Sequence, residues 1–214
     1  MMDANFWHEK WQINQIAFHQ PKPNALLVAH LGELTLSAGD RVFVPLCGKT
    51  LDIPYLLSRG YRVAGAELSE IAVSQLFEEM AVTPEITEHG TLRCYRADGI
   101  DIFTGDIFDL GTELLGPVDA IFDRAALVAL PEEMRVRYSK LLASITRKAP
   151  QLLITFEYDQ TEMAGPPFSI SPERVAAYYA GTYAIRRLAA VEVKGGLKGF
   201  CPATEVMWLL QFSG

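Results

Sequence analysis

Residues 41–67, RVFVPLCGKTLDIPYLLSRGYRVAGAE, run an apolar strand into a turn with one glycine, then a helix, then a second apolar strand ending on Glu67. Two apolar strands joined through a helix belong in a parallel sheet whose faces are both covered. The turn after the first strand then lies at the carboxyl edge of the sheet, where the free amides of the helix start face a ligand. Glu67 follows the glycine turn by about 20 residues, and an acid at that strand tip is placed to accept hydrogen bonds from ribose hydroxyls. The unit predicts an α/β fold that binds a molecule containing adenosine.

The alternation continues along the chain. Strands are predicted at 41–44, 62–66, 91–97, 100–104, 118–122, 152–156, 183–193 and 205–212, with helices at 51–59, 70–80, 132–145 and from 171 to about 179. Residues 91–104 read as a hairpin around Asp98-Gly99, and the last two strands as an antiparallel hairpin at one edge. Asn24 to Leu36 is amphipathic, with Leu27, His30, Leu31 and Leu34 at helical spacing. The N-terminal stretch FWHEKWQINQIAFHQ carries Phe6, Trp7, Trp11 and Phe18. It reads either as a helix docked on the core or as a lid of residues 1–20 over a body of residues 21–214.

At 214 residues and 50% hydrophobic, the chain has enough apolar matter for one domain with a large core. Its net charge of −7, with no run of Lys or Arg, argues against a nucleic-acid partner. The apolar stretches are strand-sized, too short for a membrane span, and the first residues lack the pattern of a signal peptide. Cys47, Cys94 and Cys201 are odd in number and far apart, which suits a cytoplasmic protein without a disulfide framework. His8, His19, His30 and His89 do not cluster in sequence, and no metal site is expected. With no coiled-coil seam, a monomer is expected.

Three adenosine ligands compete for the turn. Gly48-Lys49-Thr50 copies the tail of a phosphate-binding P-loop, but Phe43 stands where that motif needs its first glycine. A dinucleotide turn needs three glycines for its pyrophosphate, and Pro45, Leu46 and Cys47 precede a single one. S-adenosylmethionine has no phosphate and needs no glycine cage. It needs an acid for its ribose, which Glu67 supplies, and a polar group beside its adenine, which Asp106 in GDIFDL supplies. Each acid also has a plainer reading, Glu67 as a solvated strand end and Asp106 as a helix cap.

The segments FWHEKWQ, AFHQ, VFVPLCGKTLD, AELSE, GDIFDL, FDRAALVAL and GPPF, in that order, resemble thiopurine S-methyltransferase in a bacterial form. The resemblance runs from about Phe6 to Trp208. It implies the seven-stranded, Rossmann-like class I methyltransferase fold, mostly parallel with an antiparallel last strand and helices on both faces. It further implies S-adenosylmethionine contacts from Trp11, Leu46, Glu67, Asp106, Ile107 and Arg124, and a substrate border of Phe18, Arg124, Pro166, Pro167 and Phe168. The substrates implied are aromatic and heterocyclic thiols such as 6-mercaptopurine, and bacterial members are also associated with selenium and tellurium species. The C-terminal hairpin departs most from the family pattern. Mammalian members have a longer segment there with an arginine near the substrate, and this chain has Lys194 and Lys198.

Methyl transfer from a sulfonium is an in-line displacement, so alignment and exclusion of water carry most of the catalysis. Aromatic thiols ionise near neutral pH, and the chain shows no obvious general base. Arg124, directly after the fourth strand of the parallel order, is expected to donate to a ring nitrogen or to thiolate charge, or else to pair with Asp123. An S-adenosylmethionine-binding module without catalysis, and an NAD-dependent oxidoreductase, are the competing functions.

Overall fold

The computed structural model describes residues 4–16 and 19–212. The helices are α1 (Ala4–Gln12), α2 (Ala25–His30), α3 (Asp52–Ser58), α4 (Glu70–Glu79), α5 (Thr112–Leu115), α6 (Glu132–Ile145) and α7 (Pro172–Tyr179). The strands are β1 (Arg41–Pro45), β2 (Arg62–Glu67), β3 (Glu85–His89), β4 (Leu92–Ala97), β5 (Ile100–Thr104), β6 (Ala120–Asp123), β7 (Gln151–Glu157), β8 (Tyr183–Glu192) and β9 (Thr204–Phe212). They form one sheet in the order β3-β4-β5-β2-β1-β6-β7-β9-β8. Strands β5, β2, β1, β6 and β7 run parallel, and β9 lies antiparallel between β7 and β8.

Seven of these strands, from β5 to β8 in spatial order, make the expected mostly parallel sheet with an antiparallel last strand. The sheet has nine strands because β4 pairs antiparallel with β5, as the reading of 91–104 anticipated, and β3 adds a further edge. Strand β3 was not expected. Its residues EITEH are mostly exposed and lack apolar alternation, so only pairing to β4 makes them a strand. The last two strands form the expected antiparallel hairpin at one edge, with β8 outermost and β9 inside it.

Strand β1 shows why the centre holds. Its five residues are all buried, and they alternate between faces. Val42 and Val44 enter one apolar cluster with Ile53, Leu56, Ile102 and Phe122, while Phe43 enters the other with Phe103, Ile121 and Leu153. Local signals set the helix starts. The Ser69 hydroxyl accepts from Ala72 N–H at 3.4 Å, and Ser171 caps α7 with Pro172 in its first turn. The amphipathic stretch after Asn24 is α2 followed by a 3-10 turn, Leu31–Leu34, with Leu27, Leu31 and Leu34 buried. Among the described residues, no helix is long and apolar enough to cross a membrane.

Strand order reverses at β1, with β2 on one side and β6 on the other. A crevice opens outside the carboxyl ends of strands at such a point.

Candidate active site

The turn after β1 holds two residues in the left-handed region, Leu46 (φ 46°) and Gly48 (φ 53°). Glycine accepts that conformation freely, whereas for a leucine it costs about 1–2 kcal/mol, a strain typical of functional turns. The turn is tied to the next strand by Glu67. Its Oε2 accepts from Gly48 N–H at 2.7 Å and its Oε1 from Ser69 N–H at 2.8 Å. Burial raises the Glu67 carboxyl, and the amides of Ser69, Gly48 and Leu68 pull it back down. Each carboxylate oxygen has a second lone pair, so Glu67 can hold the turn and still receive two hydroxyls. The plain reading of Glu67 as a solvated strand end is therefore excluded, since the residue is 7% exposed.

Trp11, buried on α1, covers this turn so closely that a Cβ on Gly48 would stand 3.0 Å from its Cζ2. Cys47 beside it is buried, and burial followed by the Glu67 charge pushes its thiol well up. It stays a neutral thiol, which suits packing and not nucleophilic attack.

At the end of β5, Asp106 caps the 3-10 turn Ile107–Asp109 through its Oδ1, which accepts from Phe108 N–H at 2.9 Å. It is exposed into the crevice, and Ile107 behind it is buried. The cap and a ligand contact are compatible, because a second oxygen remains.

Strand β6 ends on Asp123, and Arg124 follows it directly, before Ala125 with φ 64°. Asp123 is fully buried, where Oδ1 accepts from Leu127 N–H at 3.1 Å and Oδ2 from the Tyr138 hydroxyl at 2.9 Å. The charge of Arg124 is set instead against Asp52 and Glu205: burial lowers the guanidinium, and those two acids raise it. Around it, Asn24 N–H donates to Asp52 Oδ1 at 2.7 Å, Asn24 Nδ2 donates to Glu205 Oε1 at 3.2 Å, and Thr50 Oγ1 donates to Asp52 Oδ2 at 2.8 Å. Sequence reading missed this cluster because its members come from residues 24, 52, 124 and 205. One signal was available for Glu205: it opens an antiparallel strand, so it lies at the same edge where the parallel strands end.

One cavity of about 1400 Å³ joins these groups. Ordinary ligand sites hold about 300–1,000 Å³, so this one has room for two small molecules side by side. Trp11, Leu46, Glu67, Asp106, Ile107, Arg124, Pro166 and Pro167 all line it. So do His19, Asp52 and Glu205, and both Lys194 and Lys198 of the C-terminal hairpin. Phe168 does not. Its ring lies under the Arg135 guanidinium at 4.9 Å, and its N–H donates to Val128 O at 2.7 Å. Phe168 thus packs behind the loop that presents Pro166 and Pro167. Phe18 lies outside the described residues. Among the described residues, no group of three or more His, Cys, Asp and Glu side chains is arranged to hold a metal ion.

The sheet order, the acid at the tip of β2 and the crevice at the reversal point define an S-adenosylmethionine-dependent methyltransferase. Solved structures with the same fold include the Burkholderia thailandensis 1,6-didemethyltoxoflavin-N1-methyltransferase bound to S-adenosylhomocysteine (TM-score 0.66, 16% identity, 98% of this chain and 87% of that one). A second is an Anabaena variabilis methyltransferase (TM-score 0.63, 15% identity, 97% and 94% covered). The family model "Thiopurine S-methyltransferase (TPMT)" matches residues 2–200. A thiopurine S-methyltransferase of Xanthobacter autotrophicus is 54% identical over 98% of this chain and 99% of its own length. One from Gluconobacter oxydans is 48% identical over 96% and 94%. The chain belongs to the thiopurine S-methyltransferase family.

Proposed function

We propose that this chain methylates the sulfur of an aromatic or heterocyclic thiol of the thiopurine kind, with S-adenosylmethionine as methyl donor. The observation that carries the reading is one cavity holding both halves of such a reaction: Glu67 and Asp106 at one side, Arg124, Pro166 and Pro167 at the other. When bound, S-adenosylmethionine supplies a methyl group activated on a sulfonium sulfur. Glu67 receives the ribose hydroxyls, Asp106 and Ile107 flank the adenine, and the Leu46–Gly48 turn with Trp11 borders the methionine end. Arg124 donates to a ring nitrogen of the acceptor or to its sulfur as negative charge gathers there. Phe156, Pro166, Pro167 and Leu197 offer apolar surface to a flat ring, and Trp7 and Trp11 close the other wall against water.

The oxidoreductase reading does not account for the same features. An oxidoreductase turn would need open backbone for a pyrophosphate, and Trp11 occupies the space over Gly48. Titration calorimetry with S-adenosylhomocysteine, followed by 6-mercaptopurine added to the complex, tests the proposal. Binding of both is expected. Binding of the first alone would redirect the search to other acceptors, and binding of neither would overturn the assignment.

A further inference from the structure

Glu205 stands in the acceptor half of the cavity, beside the one arginine that β6 delivers there, and nothing in the methyl-transfer scheme above uses it. It lies on β9, where its Cα pairs with Phe156 on β7 and Val191 on β8, so its backbone is held between two strands and not in a loop. Asn24, fixed at the start of α2 by its own bond to Asp52, donates to Oε1 and holds the carboxylate in place. The second oxygen is left for another partner. The charged and polar groups that face Glu205 are Asn24 at the start of α2, Asp52 from α3 and Arg124 from β6. Burial raises its carboxyl and Asp52 adds to that, while Arg124 and the Asn24 amide hold it down.

Resting on the thiol methyltransferase reading, we infer that Glu205 is the proton acceptor for thiols that reach the site un-ionised. The S–H bond breaks, its electron pair stays on sulfur, and the proton forms an O–H bond on the Glu205 carboxylate, which later returns it to water. Arg124 shares the new negative charge on sulfur. The pair thus widens the acceptor range from thiols already ionised in solution to those that are not.

Two acceptors separate this role from others: an aromatic thiol ionised at the assay pH, and one that is almost wholly protonated there. Glu205→Gln is expected to lower kcat/KM tenfold or more for the protonated thiol and less than threefold for the ionised one. Binding of S-adenosylhomocysteine, followed by calorimetry, should stay within threefold, which shows that the site has kept its shape. Glu205→Asp should recover part of the lost rate. Equal losses with both acceptors would mean that Glu205 only positions Arg124, and would overturn the inference. So would a normal rate in Glu205→Gln, or an acceptor-dependent loss found in His19→Asn instead. If the native chain methylates neither thiol, the underlying reading fails, a result distinct from failure of Glu205 alone.

Discussion

Asp123 shows how a residue next to the site can serve it through stability and not chemistry. It is fully buried under Arg124, and burial pushes its carboxyl from 3.8 to about 6 despite bonds from Leu127 N–H, Tyr138 and Ala126 N–H. A carboxyl whose folded value is raised binds its proton more tightly when folded. Its contribution to stability is therefore fully present below pH 4 and is lost as pH rises through about 6. A rise of that size corresponds to about 3 kcal/mol. Relative to Asp123→Asn, whose amide still accepts from Leu127 N–H, the native chain should lose about that much stability between pH 4 and pH 7. Urea unfolding of both proteins across this range reads the difference, and parallel curves would show that Asp123 titrates normally. The bonds that Asp123 accepts from Leu127 and Ala126 N–H tie down the backbone after β6, where Ala125 takes its left-handed turn and Arg124 lines the cavity.

At the scale of elements, the turn after β1 depends on a residue of β2. Gly65 has no side chain, and a Cβ there would come within 2.5 Å of Ile102 Cδ1 and 3.0 Å of Cys47 Sγ. The Ile102 methyl can rotate away, but Cys47 is part of the turn that Glu67 holds, and Cys47 N–H donates to Ala66 O at 3.0 Å. Gly65→Ala should therefore cost about 1–3 kcal/mol of stability and also weaken S-adenosylhomocysteine binding. A stability loss with unchanged binding would uncouple the turn from the strand. Elements of this kind were legible in the sequence because local chemistry decides them: the apolar run of β1, the serine caps of α4 and α7, and the acid ending β2. Strand β3 was not legible, since partner strand β4 alone makes EITEH extended. The Asn24–Asp52–Arg124–Glu205 cluster was illegible for the same reason at longer range. The sheet brings together four positions whose neighbours in sequence say nothing about one another.

For the whole molecule, the matter to settle is how ligands reach a cavity roofed at one side by α1 and at the other by the C-terminal hairpin. Helix α1 packs against α4, and Trp11 is the one fully covered side chain among the described residues from Asn5 to Ile16. An element held by so little apolar burial opens at a small fraction of the global unfolding free energy. The surface Trp11 covers is the Gly48 turn, where the methionine end of S-adenosylmethionine is proposed to lie. A ligand there adds a second partner to the same indole, so its binding and closure of α1 should reinforce one another. Amide exchange in residues 4–12 is then expected to slow several-fold or more when S-adenosylhomocysteine is bound, while exchange in the central strands β1 and β6 changes little. Trp11→Ala should abolish the slowing and weaken binding, with the sheet left intact. If the segment exchanges equally fast with and without ligand, α1 is a fixed wall of the site. Entry would then have to come from the hairpin side, past Lys194 and Lys198.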